Sequence, residues 1–219
     1  MTAGTVTRLT PTQQAAVAKI ACGIARPGGV ALLCGPQGVG KTTVLAHLAS
    51  DSRLQSMSIE SLEMEAWESA IASGRREFPD IVIADEAHLA SDGGLARLLA
   101  ACRGRRPAAS VVLAGEGRLL TLISRDSRVE QAIQLRAGLR PCTLHESRDL
   151  LATVQHDDTI TCPLNDETVL TIHEIAAGIP AAMQRLAGLA AVLAGANPDR
   201  GLTAADIEAI HRRLAPLAA

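Results

Sequence analysis

The amino-acid sequence predicts an α/β fold, in which a parallel β-sheet with helices between its strands is followed by a small all-helical domain. Short, uninterrupted apolar runs alternate with helical patterns in the first part of the chain, which is typical of βαβ units. After about Pro141 the strand pattern ends and helical patterns alone continue. The 219 residues are 47% hydrophobic and 20% charged, so the chain can bury a sizeable core. We therefore expect two domains, residues 1–145 and 146–219.

Each element of the first domain follows from a local pattern. Pro11 favours a helix start, because its missing N–H costs little in the first turn, and the helical pattern continues to Ala25. Runs of consecutive apolar residues predict strands that are buried on both faces. These runs are residues 30–34, 81–84 and 111–114. The predicted helices are residues 41–50, 61–73 and 89–102, and a basic loop is predicted at residues 103–107.

The second domain shows helical patterns without strands. Proline and glycine interrupt these patterns at Pro163, Gly178 and Pro198, where helices are expected to stop. The predicted helices are residues 145–155, 164–177, 180–194 and 203–214.

The composition excludes several classes of protein. A net charge of -2 gives no overall positive field for nucleic acid or anionic lipid, and Trp67 and Phe78 are too few aromatic residues for a base-stacking surface. Five scattered cysteines predict buried apolar side chains in a reducing compartment rather than disulfides or zinc ligands. The N-terminus lacks a signal-peptide pattern, and polar Gln184 and Arg185 interrupt the most apolar stretch, residues 178–196. We expect a soluble, cytoplasmic protein with no direct membrane insertion.

One glycine-rich segment predicts a phosphate-binding loop. Residues 35–42 read GPQGVGKT and match the pattern G-x-x-x-x-G-K-[ST] in full, after a predicted strand and before a predicted helix. Glycines let the backbone wind around a phosphate so that successive N–H groups point at it, and the helix N-terminus adds its dipole. A chance glycine turn with a surface lysine is the alternative, and the strand–loop–helix context argues against it.

The motif assigns roles to its side chains, with ATP as the expected nucleotide. Lys41 would contact the β- and γ-phosphates, and the Thr42 hydroxyl would be a ligand of Mg²⁺. The expected nucleotide-binding residues are Gly35, Pro36, Gln37, Gly38, Val39, Gly40, Lys41, Thr42 and Thr43.

A second motif follows the strand at residues 81–84 with two carboxylates, Asp85 and Glu86. Asp85 suits the magnesium-supporting position of an ATPase, and Glu86 could activate the attacking water. We expect both acids to be buried, which would itself favour a nearby cation. A cap on the following helix is the alternative, and both roles can hold together. Residues 85–88 spell DEAH, but a helicase of that class needs a second motor domain, so we expect His88 to pack or hydrogen-bond near the site.

With both motifs placed, the chain resembles a compact AAA+ ATPase of the ExeA (general secretion pathway A) and TniB/TnsC/MuB-like group. The stretches that carry the resemblance are GPQGVGKTTVLAHL, DIVIADEAHL, SVVLAGEGRLL, LRPCTL and GIPAAMQRLAGLA. The resemblance implies an AAA+ P-loop NTPase core with a helical lid, ATP and Mg²⁺ as ligands, and a homo-oligomer whose active sites lie between subunits. It also implies an ATP-dependent assembly or regulatory role in a secretion or envelope complex, with a protein partner that the sequence does not identify.

The sequence departs from that group at three positions that would complete the active site. Glu116 stands where the group has an Asn or Thr sensor, Gln134 where an arginine is expected, and Ala181 where the lid arginine is expected. Arginines that could substitute for these are Arg125, Arg128, Arg136 and Arg185. Because an arginine supplied by a neighbouring subunit can raise the rate of hydrolysis by orders of magnitude, we expect a slow, switch-like ATPase.

Two other functions stay open. A DNA-associated transposition regulator of the TniB/TnsC type would place Arg103, Arg105 and Arg106 on phosphate backbones, although an exposed, solvated loop is the simpler interpretation of this segment. A nucleotide-binding scaffold would bind ATP and assemble with negligible hydrolysis.

Overall fold

The structure is a computed structural model that describes residues 9–75, 77–156, 164–196 and 202–214. The chain divides into two compact units. One is Pro11–Arg140, and the other comprises the described residues of Met1–Thr10 and Pro141–Ala219. The assignment of residues 1–145 and 146–219 to two domains stays a prediction.

The first unit is built on a parallel β-sheet. Its strands in the described residues are β1 (Val30–Cys34), β2 (Ile59–Glu63), β3 (Ile81–Asp85), β4 (Ser110–Gly115) and β5 (Leu135–Gly138). Their order across the sheet is β2–β3–β4–β1–β5, and all four neighbouring pairs are parallel. Nearly every residue of β1, β3 and β4 is buried, as their apolar sequences predict. The predicted α/β class with a parallel sheet is confirmed.

Helices link the strands, because parallel neighbours need long crossover connections. The α-helices of this unit are α1 (Pro11–Ile24), α2 (Lys41–Ala49), α3 (Met64–Ala72), α4 (Gly94–Arg105), α5 (Gly117–Arg125) and α6 (Ser127–Ala132). Two short 3-10 helices are Ser52–Leu54 and Ala87–Leu89. The buried face of α1, which includes Val17, Ile20 and Ile24, packs beside β1 and β5.

The sequence prediction misses both edge strands. β2 has no fully buried residue, and its Leu62 shares helical spacing with Ala66 and Ala70, so the predicted helix starts at residue 61. The structure begins α3 at Met64 instead. β5 has four residues, too few to show a pattern, and α5 and α6 before it are also absent from the prediction. Both edge strands are partly exposed, so their sequences lack the uninterrupted apolar run of a strand that is buried on both faces.

The predicted basic loop at residues 103–107 is in part a helix. Arg103 and Arg105 lie in the last turn of α4, where positive side chains interact favourably with the helix dipole. Arg106 ends the helix and pairs with Asp80. Hydrogen bonds from Ser58, together with Arg106, hold the pKa of the Asp80 carboxyl below its usual value. The predicted loop conformation is therefore wrong for residues 103–105, whereas the predicted exposure of Arg103, Arg105 and Arg106 is confirmed.

The sheet brings the two sequence motifs to one edge. Parallel strands end at the same edge, and ligands of open α/β sheets bind outside such carboxyl ends. β1 leads into residues 35–40, β3 ends at Asp85, and β4 ends between them at Gly115. Cys34 and Gly115 are paired in register, so the two central strands stop at the same level.

The tryptophan of this unit lies behind the second motif. Trp67 of α3 is fully buried, stacks on Phe78 with ring centroids 6.0 Å apart, and donates from Nε1 to the Ile83 carbonyl at 2.8 Å. The Arg75 guanidinium lies 4.8 Å from the centroid of the Trp67 ring. Because Ile83 precedes Asp85 by two residues, this tryptophan is a fluorescence probe of the strand that carries the acids.

The second unit is helical over its described residues. Its helices are α7 (Leu144–His156), α8 (Asp166–Ile175), α9 (Pro180–Ala196) and α10 (Ala204–Leu214). A capping box starts α7: the Thr143 backbone N–H donates to the Glu146 carboxylate at 2.8 Å, and the Glu146 N–H to the Thr143 hydroxyl at 3.3 Å. Ile172, Met183 and Ile207 are fully buried in its core. The predicted all-helical character of this part of the chain is confirmed for its described residues.

The described residues include four of the five cysteines, and all four are free thiols. Cys102 and Cys142 are buried, as expected, whereas Cys22 is exposed and contradicts the expectation of buried thiols. Cys162 lies outside the described residues. Among the helices that the structure describes, none combines the length and the apolar character that crossing a membrane requires.

Candidate functional site

The phosphate-binding motif forms the turn between β1 and α2. Residues 35–40 connect Cys34 to Lys41, the first residue of α2. Gly38 and Gly40 have φ values of +77° and +93°, in the left-handed region where a side chain would be strained. Burial raises the pKa of the thiol of Cys34, the last residue of β1 before the turn. The two glycines allow the tight loop that the sequence motif predicts.

The nine predicted nucleotide-binding residues all lie in this turn and the first turn of α2. The exposed ones, which a ligand can reach directly, are Pro36, Gln37 and Thr42. The buried or half-buried ones are Gly35, Gly38, Val39, Gly40, Lys41 and Thr43. The Gly35 N–H donates to the Gly115 carbonyl at 3.2 Å, which ties the start of the loop to the end of β4.

Lys41 holds a buried ammonium over the loop. Its side chain is 6% exposed, and Nζ donates to the carbonyl oxygens of Gly35 and Pro36, each at 3.1 Å. A carboxylate oxygen of Glu116 lies 3.9 Å from the same nitrogen. A buried charge must be paired or hydrogen-bonded, and these three contacts meet that need. The ammonium is therefore fixed beside the loop, where the motif requires a phosphate-binding cation.

A hydrogen bond between Thr42 and Asp85 joins the two motifs. The Thr42 hydroxyl donates to Asp85 Oδ2 at 3.0 Å, although the two residues are 43 positions apart. Asp85 Oδ1 accepts from the Glu86 backbone N–H at 2.9 Å, which fixes the plane of the carboxylate. Hydroxyl and carboxylate oxygens are hard donors of the kind that Mg²⁺ prefers, so this pair fits the predicted metal site.

Glu86 has an unusual backbone conformation and an accessible carboxylate. Its φ is +51°, which is uncommon for a residue with a side chain, and the side chain is 36% exposed. The expectation that Asp85 and Glu86 are buried is wrong, because both emerge at the edge of the sheet and are half-buried. Burial therefore gives no argument for a cation here. An accessible carboxylate is what the activation of a water molecule requires.

His88 and Glu116 form a polar cluster with Glu86. His88 Nδ1 lies 3.3 Å from Glu86 Oε2, a close contact that lacks the alignment of a hydrogen bond. One ligand atom from each of the three residues lies within 4.8 Å of the others, so the cluster could hold a cation. The Lys41 ammonium, next to Glu116, already supplies a positive charge there. The contact with Glu86 agrees with the expectation that His88 packs near the site.

Sequence reasoning missed two contacts of the loop. Gln13 of α1 is 7% exposed and donates from Nε2 to the Val39 carbonyl at 2.9 Å. Its sequence signal is a polar residue on an apolar stripe that also includes Val17. The proximity of Glu116 to Lys41 follows from the order of the strands, which no local pattern specifies.

The candidate arginines are exposed, and two of them are paired with acids. Arg128 is 82% exposed and donates to Asp126 from its side chain and its backbone N–H, which lowers the pKa of the Asp126 carboxyl. Arg136 is 50% exposed and lies 3.8 Å from Glu130. The other two are exposed as well: Arg125 on α5 and Arg185 on α9.

The sequence of the first unit matches a known family. Residues 31–136 match the family described as "ATPase family associated with various cellular activities (AAA)". The matched segment runs from β1 to β5, so it includes both motifs and the strand between them. No curated protein compared with the chain matches it.

Solved structures share the fold at low sequence identity. Domain III of the replication initiation protein DnaA from Thermotoga maritima is 14% identical, with 91% of this chain and 90% of that chain covered and a TM-score of 0.68. The RuvB Holliday junction branch migration motor from the same organism is 18% identical, with 93% and 68% covered and a TM-score of 0.63. Hsp104 in a closed state with ATPγS and FITC casein is 15% identical, with 94% and 43% covered and a TM-score of 0.67.

These findings support the wider assignment and leave the narrower one open. At such identities the structural likeness shows the fold alone. The ExeA and TniB/TnsC/MuB-like subgroup is not confirmed and stays a prediction. The family match and the fold support a nucleotide-binding function of the AAA+ ATPase type. Residues 31–136 thus match the AAA ATPase family, and the chain has the fold of an AAA+ P-loop ATPase.

Proposed function

We propose that the chain is an AAA+ ATPase that binds Mg·ATP, hydrolyses it slowly, and associates with further copies of itself in response. The observation that carries the proposal is the hydrogen bond between Thr42 and Asp85, because it unites the phosphate loop and the acidic strand end in a single site. Lys41 precedes Thr42 and Glu86 follows Asp85, so a cation and a candidate general base flank that bond.

Nucleotide binding would depend on the loop at residues 35–43. The first N–H groups of α2 have no acceptors within the helix, so they are available to phosphate oxygens. An ammonium has three N–H donors, and Lys41 uses two of them on the Gly35 and Pro36 carbonyls. The third can reach a phosphate or Glu116. Mg²⁺ held by Thr42 and Asp85 would neutralise phosphate charge.

Hydrolysis would use Glu86 as the general base. The oxygen of a water molecule attacks the γ-phosphorus, the bond from that phosphorus to the bridging oxygen of ADP breaks, and the water proton passes to the Glu86 carboxylate. The side chain is accessible enough to meet such a water. His88 Nδ1 lies 3.3 Å from this carboxylate without the alignment of a hydrogen bond, so His88 packs beside the base.

Two features favour slow hydrolysis. Glu116 puts a negative charge 3.9 Å from Lys41, where it competes with phosphate for the ammonium. Arg128 and Arg136 are engaged by acids on their own chain. A neighbouring subunit would have to draw one of them away to obtain the rate gain of an arginine finger, which is about 10³–10⁵-fold.

The cellular role that we propose is ATP-dependent assembly or regulation of a secretion or envelope complex. It rests on the resemblance of GPQGVGKTTVLAHL, DIVIADEAHL and GIPAAMQRLAGLA to the ExeA group. A protein partner would carry any attachment to a membrane. A cytoplasmic location is part of this proposal and fits the burial of Cys102 and Cys142 as apolar side chains.

A DNA-associated regulator is the second candidate. Arg103 and Arg105 are exposed on the last turn of α4, where they could contact a phosphate backbone. The names of two structural neighbours refer to replication initiation and Holliday junction branch migration. Pairing of Arg106 with Asp80 and a net charge of -2 weigh against this candidate. Salt-sensitive binding of duplex DNA that is lost on replacing Arg103 and Arg105 by Ala would favour it.

A nucleotide-binding scaffold with negligible hydrolysis is the third candidate. The pairing of Arg128 and Arg136 with acids on their own chain favours it, because each arginine would have to leave that contact to reach the nucleotide of a neighbour. It predicts the same binding and assembly, with phosphate release no faster than in a Glu86→Gln variant.

Calorimetric titration of the full chain with ATP tests the binding function. We expect one site per chain, a marked loss of affinity when EDTA removes Mg²⁺, and a rise in molar mass by light scattering on addition of ATP. Asp85→Asn should remove the effect of Mg²⁺, whereas Asp92→Asn, at an exposed acid outside the site, should not. No heat of binding and no change in Trp67 fluorescence at millimolar ATP would contradict the proposal.

A further inference from the structure

Gln13 is a polar residue on the buried, mostly apolar face of α1. It is the third residue of α1 and lies on the buried face of that helix, together with Ala16, Val17 and Ile20. A buried amide is costly unless its polar atoms are hydrogen-bonded. Its Nε2 atom donates to the carbonyl of Val39, inside the phosphate loop, at 2.9 Å. An apolar residue at this position could not make this hydrogen bond to the loop.

The hydrogen bond from Gln13 fixes the orientation of one peptide unit of the loop. The peptide between Val39 and Gly40 is trans, because the described residues contain no cis peptide bond. In a planar trans peptide the carbonyl and the N–H point in opposite directions. Holding the Val39 carbonyl toward α1 therefore directs the Gly40 N–H away from α1. The Gly40 carbonyl accepts from the Val44 N–H at 3.0 Å, so α2 restrains the next peptide.

The Gln13 amide occupies the space that a side chain at Gly40 would need. A Cβ atom added at Gly40 would lie 2.2 Å from Gln13 Nε2, far inside van der Waals contact. The absence of a side chain at Gly40 is thus what lets the amide reach the Val39 carbonyl. The glycine of the motif serves this contact in addition to its backbone conformation.

Helix α1 is anchored at points beyond Gln13, which makes the amide a fixed support. Lys19 Nζ donates to the Arg136 carbonyl of β5 at 2.7 Å. At the end of the helix, the Ser110 hydroxyl of β4 donates to the Ile24 carbonyl at 2.9 Å. Because the helix is held against both strands, α1 cannot shift to restore a contact with the loop when the Gln13 amide is removed.

We propose that Gln13 is a positioning residue for nucleotide binding, which holds the Val39–Gly40 peptide so that the Gly40 N–H is oriented for a phosphate before ATP arrives. The inference rests on the proposed function of the loop. It adds a residue on α1, outside both sequence motifs, to the determinants of nucleotide affinity. Gln13 acts through Val39 and Gly40 and makes no contact with the reacting atoms.

The test is a Gln13→Met variant of the full chain, because methionine keeps the length and packing of the side chain but cannot donate. Gln14→Met, at the exposed neighbouring position, is the matched control. We expect the dissociation constants of ATP and ADP to rise roughly tenfold in Gln13→Met, equivalent to about 1.4 kcal/mol, and to stay unchanged in Gln14→Met. Turnover at saturating ATP should stay within about twofold of the parent chain, since a uniform loss of binding raises KM and leaves kcat.

The outcomes separate this inference from the proposed function. If the parent chain binds no ATP, the proposed function fails. If the parent chain binds and Gln13→Met binds equally well, the function stands and the inference is overturned. A fall in turnover at saturation without a change in affinity would overturn it too. Gln13→Asn, which keeps a shorter amide donor, should fall between the parent chain and Gln13→Met, and Trp67 fluorescence reports whether each variant is folded.

Discussion

Two regions of the Pro11–Arg140 unit place their charged side chains in opposite environments, one buried and one exposed. At the phosphate loop, Lys41 is buried and held by two carbonyl oxygens, and Thr42 is hydrogen-bonded to Asp85. In residues 125–136, Arg128 and Arg136 are exposed and paired with neighbouring acids. Exposed ion pairs of this kind contribute about 0–1 kcal/mol, so they can rearrange at little cost.

Under the proposed function, this difference means that binding and hydrolysis have different structural requirements in this chain. The groups that would hold the phosphates are in place before a ligand arrives, which reduces the entropy lost on binding. The arginines that could accelerate hydrolysis contact acids on their own chain, so they would have to exchange partners before they could act on a neighbouring site. A nucleotide-dependent switch needs both tight binding of ATP and slow hydrolysis, so that it stays in its ATP-bound state.

The largest expected effect is at Lys41. Replacing it by Ala removes the buried cation from the loop, so we expect ATP affinity to fall by about 100-fold or more, equivalent to about 2.7 kcal/mol. Arg26→Ala is the control, because Arg26 is an exposed cation before β1, at the opposite end of that strand from the loop. Calorimetric titration of both variants checks this prediction. Equal affinities in the two variants would contradict the placement of the phosphates at the loop.

Glu86→Gln should separate binding from hydrolysis. The amide keeps the size of the side chain but cannot accept the water proton, so we expect turnover to fall by about 10²–10⁴-fold while the ATP dissociation constant changes by less than about threefold. Glu65→Gln, at an exposed position on α3, should change neither. Parallel assays of phosphate release and of nucleotide binding measure the two effects. Retention of full turnover by Glu86→Gln would exclude Glu86 as the base.

Single replacements of Arg128 and Arg136 by Ala probe the other region. Because both side chains are engaged by acids, we expect turnover to change by less than about threefold, far from the 10³–10⁵-fold loss typical of an arginine finger. Steady-state turnover at saturating ATP and high protein concentration is the measurement. A loss of a brisk activity in either variant would show that a neighbouring subunit uses that arginine.

The smallest expected effect is at Asp126, which caps α6 and pairs with Arg128. The pKa of its carboxyl is lowered in the folded chain by hydrogen bonds from Arg128, so its contribution to stability is present above the unfolded value of 3.8 and is lost as the pH falls through the folded value. Asp126→Asn should lower Tm by roughly 1–3 °C at pH 7, with a difference that shrinks below pH 3.8. Thermal melts of both proteins from pH 7 to pH 3 check this. A difference that stays constant over that range would show that the charge of Asp126 is not what stabilises the cap.

The central strands and both motifs could be predicted from the sequence, because local patterns specify them. β1, β3 and β4 are uninterrupted apolar runs, and Gly38, Gly40 and Lys41 stand at fixed spacing in the loop. Parallel pairing then places the strand ends at one edge of the sheet. The Thr42–Asp85 contact follows from these two facts together.

The remaining features depend on tertiary contacts that no local pattern encodes. Gln13 reaches Val39 because α1 packs beside β1, and the sequence shows no more than a polar residue on an apolar stripe. Asp85 ends a buried strand and Glu86 follows it, yet both are half-buried because the strand stops at the edge of the sheet. β2 and β5 lie at the two edges of the sheet, where the apolar signal is weak.

Phosphate release per subunit, measured over a wide range of protein concentration with Glu86→Gln as the blank, tests the central claim most directly. A firmly binding, slowly hydrolysing switch predicts a rate well below about 1 s⁻¹, the low end of typical enzyme turnover, that depends on Glu86 and rises with protein concentration. A brisk rate of about 10 s⁻¹ or more at every concentration would contradict the account, because a single chain would then hold a complete and fast active site.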